Sequence, residues 1–257
     1  MSEDAPAVLV ERRGFVQLVT INRPEARNAV NLAVAQGIAA AMEELDASDE
    51  LRVGVLTGAG GVFCSGMDLK AFLKGEVPHV EGRGFGGLTT TPPRKPLIAA
   101  VEGYALAGGC ELMLACDLVI AGESARFGTP EVGRGLVAAA GAAMLLPERL
   151  PYVLAMEVLL TGEPIAAPKA LAFGLINQVV LDGGALDGAL ALADKIAANG
   201  PLAVAVTKEI ARKARDWPME QAWQKQAELI GPVFISEDDR EGATTFAEKR
   251  PPVWKGR

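Results

Sequence analysis

The sequence of 257 residues holds a single histidine, His79, and only three cysteines, Cys64, Cys110 and Cys116. A site built from several histidines is therefore impossible. No two cysteines stand as Cys-x-x-Cys, so zinc-ribbon and dithiol redox chemistry lack their ligands, and no metal is expected. A small, odd cysteine count fits a reduced, intracellular protein. No stretch approaches the roughly 18 uninterrupted apolar residues of a membrane span. The opening MSEDAPAVLVERRG has no apolar signal core either. The expectation is a soluble, cytoplasmic chain with no membrane partner.

Positive charge is also scarce, with 25 Lys+Arg against 32 Asp+Glu, a net −7, and a pI near 5.0. A nucleic-acid partner held by a broad basic face is disfavoured. The imbalance is uneven: residues 201–257 carry 10 Lys+Arg against 9 Asp+Glu, and residues 1–200 carry 15 against 23. A phosphate-bearing partner would thus be sought at the C-terminal segment. What is plentiful is apolar, at 50% hydrophobic and 22% charged residues, a globular composition that excludes disorder and fibres. A chain this long buries about 70% of its extended surface, enough for one large core with a small appendage.

Residues 8–12 and 15–21 alternate apolar and polar around Arg13-Gly14, which predicts a hairpin. A helical period from Asn31 runs to about Asp46, and Val53 to Thr57 reads as a short buried strand. Residues 74–95 show no period, and a loop of that length in a compact domain is mobile or functional. Leu97 to Val101 and Leu118 to Ala121 read as strands around an apolar helix from about Gly108 to Cys116, and an Ala-rich helix follows near 138–147. This alternation is that of an α/β protein. After about residue 185 strands vanish. Leu186, Leu190, Ala193 and Ala197 mark a helix ended by Asn199-Gly200, and Pro201 opens the next. One more helix spans about Met219 to Ile235, and Ser236 to Asp239 fits a capping pattern for a last one. Two regions result, 1–184 as an α/β core and 185–257 as a helical C-terminal part.

Two places look unlike ordinary core. In Cys64-Ser65-Gly66-Met67-Asp68-Leu69 a glycine loop turns into a helix, and in Gly108-Gly109-Cys110-Glu111 two glycines open one. Backbone N–H groups in such loops and first turns lack intrahelical partners and can face an anion or a carbonyl becoming one. Glu131, in Thr129-Pro130-Glu131, is a third element. Two carboxylates near one centre permit general acid and base work. Each feature also has a plainer reading. A first-turn glutamate is commonly structural through the helix dipole. Cys64 and Cys110 fit small buried packers better than nucleophiles. His79 reads as a solvated or lid residue, and Ser65 with His79 lacks the Gly-x-Ser-x-Gly context of a serine hydrolase. Lys208, Arg212, Lys213 and Arg215 read as a solvated helix face, and Tyr104, Phe127, Trp217 and Trp223 as core or subunit contacts.

At this point the residues carry a resemblance. NRPEARNAV at 22–30, GVFCSGMDL at 61–69, AVEGYALAGGCELMLACD at 100–117, FGTPEVGRGL at 127–136, LTGEPI at 160–165 and FAEKRPP at 246–252 resemble, in order and spacing, the enoyl-CoA hydratase/isomerase (crotonase) superfamily. The resemblance spans about residues 8–254. It implies the α/β crotonase (ClpP/crotonase-like) fold, a spiral of ββα units with a helical C-terminal region that serves trimerisation and CoA capping. It also implies a homotrimer or a dimer of trimers. Met67 and Gly108 fall at the positions of the two oxyanion-hole N–H groups, and Glu111 and Glu131 at the two catalytic glutamates of the hydratases. There the pair holds a water, adds its OH to Cβ of a trans-2-enoyl-CoA and delivers a proton to Cα. Glu25, Ala26 and Arg27, with Asp68, Leu69 and Lys70, match loops that contact CoA. Phe246 and Lys249 match residues that reach its adenine end, often from a neighbouring subunit.

The implied activity is enoyl-CoA hydration on an acyl-CoA thioester in lipid metabolism. Coenzyme A enters as part of the substrate, with no tightly bound cofactor. One segment departs from the pattern. Hydratases commonly read Gly-x-x-Pro-Gly-x-Gly-Gly after the second glutamate, where this chain has Gly135-Leu136-Val137-Ala138-Ala139-Ala140-Gly141-Ala142. The added Cβ atoms are expected near Glu131, with a reshaped acyl pocket or a shifted helix start. That departure keeps open a sibling reaction: isomerisation, dehydration of a hydroxyacyl-CoA, or thioester hydrolysis. A non-catalytic or RNA-binding member of the fold is a further alternative, against which the net charge and the intact glutamate pair both argue.

Overall fold

The computed structural model describes residues 5–257, so only the first four residues of the opening segment lie outside it. Strands β1 (Val8–Arg13) and β2 (Val16–Ile21) form the expected antiparallel hairpin. Helix α1 (Leu32–Ala47) begins where Asn31 Oδ1 accepts from the N–H of Val34, and β3 (Val53–Gly58) follows. Asp68 then caps the short helix α2 (Leu69–Phe72). The aperiodic stretch contains a small antiparallel pair, β4 (His79–Val80) and β5 (Gly84–Phe85), and Leu88 just beyond it is fully buried. Gly82, Gly84, Gly86 and Gly87, in and after that turn, erase the period by which such a pair could be read.

Strands β6 (Leu97–Val101) and β7 (Tyr104–Leu106) lead to helix α3 (Gly108–Ala115). Strands β8 (Leu118–Gly122) and β9 (Arg126–Gly128) lead to a 3-10 turn at Pro130–Arg134. Helices α4 (Ala142–Arg149) and α5 (Tyr152–Thr161), strand β10 (Ile165–Ala166), helix α6 (Ala167–Ala172) and strand β11 (Gln178–Val180) complete the α/β part. The Ala-rich helix thus starts at 142 and not 138, because Gly141 at φ 125° breaks the helical run. From there on only helices occur: α7 (Ala185–Ala197), α8 (Pro201–Lys213), α9 (Met219–Ile230) and α10 (Glu237–Glu248). The single helix expected from Met219 to Ile235 is broken at Gly231-Pro232. No single helix among the described residues is long and apolar enough to cross a membrane.

The main sheet has the order β1-β2-β3-β6-β8-β11, parallel beyond the first hairpin. Its inner strands β2, β3, β6 and β8 are buried on both faces. Val53, Val55, Ile98, Ala100 and Ile120 pack on α7, and Leu97, Ala99, Val101, Val119 and Ala121 join the other core with α1 and α3. The buried stripe of α7 is Ala185, Ala189, Ala193 and Ala197, one position off the expected Leu186 and Leu190, which lie at its flank. Alanine at every fourth position lets the helix axis approach the sheet closely. The face read as solvated is partly buried. The Lys208 side chain is 10% exposed and donates to the carbonyl of Lys95 at 2.8 Å and to Asp117 at 2.5 Å, because α8 turns it inward. Phe127 is core, while Tyr104 and Trp223 are exposed.

A second sheet, β10-β9-β7, stands beyond the carboxyl ends of these parallel strands. Cys64 bridges to Ala105 as a parallel neighbour, and Ala105 pairs with Phe127. Each unit therefore repeats one path: a main-sheet strand, a short second strand, then a turn or helix. Three such units carry Met67, Gly108 and Glu131 at corresponding ends. This is the spiral of ββα units that the resemblance implies.

Candidate active site

The two donor segments meet because their glycines allow it. A methyl placed on Gly66, at φ 105°, would lie 2.8 Å from Ala107 Cβ and 3.3 Å from the Gly108 nitrogen. One placed on Gly108 would meet the Phe85 ring at 2.4 Å. The N–H groups of Met67 and Gly108 donate to no acceptor among the described residues, while several N–H groups around them are tied down. Asp68 N–H donates to Val30 (2.9 Å), Val30 N–H to Gly66 (2.8 Å) and Ala107 N–H to Gly128 (2.9 Å). Ala107 itself sits at φ 51°, ψ −129°, a conformation that costs an alanine on the order of 1–3 kcal/mol and clusters at functional sites. Its torsions set the direction of the next peptide, whose N–H belongs to Gly108.

Glu111 lies in the first turn of α3 and is 4% exposed. Its Oε1 accepts from the N–H groups of Ala140 (2.7 Å) and Ala142 (3.2 Å). Burial pushes its carboxyl up to about 7, against the pull of those two N–H groups and with a further push from Glu131. Glu131 is the second residue of the 3-10 turn Pro130–Arg134, and burial raises its carboxyl too, opposed by its own N–H and by Arg134. Its Oε2 is buried without a hydrogen-bond partner, as is the hydroxyl of Thr129, which is 1% exposed. A buried polar atom left unpaired costs roughly 1–3 kcal/mol, so this corner is suited to a polar guest.

The loop that carries Glu25, Ala26 and Arg27 runs beside the segment from Ser65 to Asp68, from which Leu69 and Lys70 continue as α2. Arg23, unmarked by its sequence context, pairs with Asp68 at 2.9 Å, and Arg27 accepts from the N–H of Ser65 at 3.1 Å. Burial opposes the charge on Asp68, but the N–H of Ala71, the Arg23 guanidinium and the N–H of Lys70 outweigh it and hold the carboxyl below its ordinary range. Asn28, fully buried at φ 56°, ties the loop to the Ala59 and Val62 carbonyls. Arg27, Leu69 and Lys70 remain exposed.

Phe246 and Lys249 are placed otherwise. They stand at the far end of α10, Phe246 is 87% exposed, and no hydrogen bond or ion pair among the described residues links them to these loops. His79 is exposed and makes no hydrogen bond with Ser65. All three cysteines are buried with thiols pushed up to about 12, chiefly by that burial, so none is a nucleophile. Among the described residues no cluster could hold a metal ion.

Comparisons with known proteins agree with one another. Residues 11–257 match the family described as Enoyl-CoA hydratase/isomerase. The chain is similar to the enoyl-CoA hydratase EchA19 of Mycobacterium tuberculosis, at 43% identity over 99% of this chain and 98% of that protein. It is 40% identical to the carnitinyl-CoA dehydratase of Proteus mirabilis, over 95% of this chain and 97% of the relative. The crystal structure of enoyl-CoA hydratase EchA1 from Mycobacterium marinum superposes with a TM-score of 0.97 at 56% identity, covering 98% of this chain and all of that one.

Proposed function

Because the chain belongs to the enoyl-CoA hydratase/isomerase family, we propose that it is a hydro-lyase adding water reversibly across the trans-2 double bond of an enoyl-CoA thioester. The observation that carries this reading is the pair of buried carboxyls, Glu111 and Glu131, both raised, beside two unengaged N–H groups. The reaction needs one member of the pair ionised and the other protonated, and burial raises both carboxyls toward that division. The ionised member takes a proton from water as the water oxygen bonds Cβ. The double-bond electrons shift toward the thioester, whose oxygen gains negative charge. The N–H groups of Met67 and Gly108 meet that charge, a contribution for which losing one donor typically costs ~10²–10³ in rate. The protonated member then gives its proton to Cα, so water is added and the pair has exchanged roles.

Glu25, Ala26, Arg27, Asp68, Leu69 and Lys70 line the path of CoA. The isolated position of Phe246 and Lys249 supports their reaching the CoA of a neighbouring copy in a trimer or dimer of trimers. Similarity to the carnitinyl-CoA dehydratase supports a second reading, in which the same groups run the reaction toward water loss. Mixing the protein with short and branched enoyl-CoA esters and following the conjugated-thioester absorbance tests both. Decay of that absorbance is expected, with its appearance from a hydroxyacyl-CoA if dehydration dominates. No change with any ester in either direction would contradict the reading.

A further inference from the structure

Glu111 is held at one end of a two-helix clamp whose other end lies far from the site. Arg149, the last residue of α4, donates from Nη2 to the carbonyls of Leu114 at 2.6 Å and Cys116 at 3.4 Å, at the end of α3. Ala142, the first residue of α4, donates to Glu111 near the start of α3. The two helices, eight residues each, therefore run side by side in the same direction. Parallel helix dipoles at close range repel. A carboxylate at the two amino ends and a guanidinium at the two carboxyl ends offset that repulsion, and each charge stands at the end the dipole favours.

We propose that Arg149 is a positioning residue for Glu111: by locking the end of α4 onto the end of α3 it fixes where the N–H groups of Ala140 and Ala142 meet Oε1. The proposal rests on Glu111 being a member of the reacting pair. Arginine suits the task because its guanidinium stays charged and Nη2 alone carries two N–H donors, one toward each carbonyl. The groups facing it are Cys116, Asp117, Arg212 and Arg215, and Asp117 is already engaged by Lys208 and Arg212, which leaves Nη2 for the α3 carbonyls. Without the tie, α4 is free to shift along α3. A misplacement of about 1 Å at the amino end would be enough to lengthen the hydrogen bonds to Glu111, with a cost of roughly 10²-fold in rate.

Carboxyl-carbon NMR of the ligand-free protein and steady-state kinetics on an enoyl-CoA test this together, with the Glu111 resonance identified by its loss in Glu111→Gln. In Arg149→Met the Glu111 titration is expected to move upward as its two donors weaken. Turnover should fall roughly 10- to 10²-fold with KM little changed. Arg149→Lys, which keeps the charge on a shorter side chain with a differently directed nitrogen, should lie between the two and serves if the Met variant does not fold. An unmoved Glu111 titration with wild-type kcat would overturn the proposal, even if the variant melts earlier. If Glu111→Gln itself turns over like wild type, the hydratase reading fails, and the titration still decides the role of Arg149.

Discussion

The carboxylate of Glu111 is held by the backbone of Ala140, whose N–H donates to Oε1 at 2.7 Å. That alanine belongs to the segment where the sequence departs from the hydratase pattern, and its main-chain N–H reaches Glu111 all the same. A main-chain donor needs only the right backbone path, and Gly141 at φ 125° provides the turn that lets Ala142 join as second donor. The same burial gives Glu111 a carboxyl near 7 against an ordinary 4.5. Between those values the folded protein holds more protons than the unfolded one, so stability falls as pH rises from about 4.5 to about 7 and levels beyond. Glu111→Gln should remove that decline and gain on the order of 3 kcal/mol over wild type at pH 8, since each tenfold difference in proton affinity is worth about 1.4 kcal/mol. Urea unfolding at pH 5 and pH 8 checks it; equal pH slopes in both proteins would refute the buried-carboxyl assignment.

Gly108→Ala should disable the donor that the fold leaves free. The added methyl would collide with the Phe85 ring at 2.4 Å and push the first turn of α3 aside. A rate loss of ~10²–10³ is expected. Combining it with Phe85→Ala should restore stability more fully than rate, as read by thermal melting beside turnover.

Ala107→Gly isolates the strain. Replacing alanine by glycine ordinarily costs about 0.5–1 kcal/mol. At φ 51°, ψ −129° glycine is the relaxed residue, so release of about 1 kcal/mol or more should make this variant neutral or stabilising. A destabilisation of the ordinary size would mean the conformation carries no strain.

Phe246→Ser should leave the melting temperature unchanged, because the ring is 87% exposed in the chain. A raised KM for the CoA ester with unaltered kcat is the expected kinetic result, the signature of lost uniform binding. Gel filtration alongside reports whether the effect depends on assembly.

Long, periodic elements were legible in the sequence: α1 from its Asn31 cap, the β1–β2 hairpin, and the parallel strands β3, β6 and β8. The second sheet was not, since β7, β9 and β10 are two or three residues long and show no alternation. Glu111, Glu131 and the donor glycines stood out by residue type. Arg23 and Asn28 did not, although an Asn shortly after a proline is a turn signal, and Asn28 does take the left-handed conformation. Ala140, Ala142 and Arg149 act through main-chain groups or on them, and helix packing alone puts them within reach of α3.

The most direct measurement is single-turnover hydration of a short enoyl-CoA by Glu111→Gln and Glu131→Gln, each beside wild type, with binding of the ester measured separately. Each substitution keeps shape and removes the ionisable proton. Turnover lower by several orders of magnitude in both variants, with ester binding nearly intact, is the result expected of a paired-carboxyl site. Wild-type-like turnover in either one would contradict it.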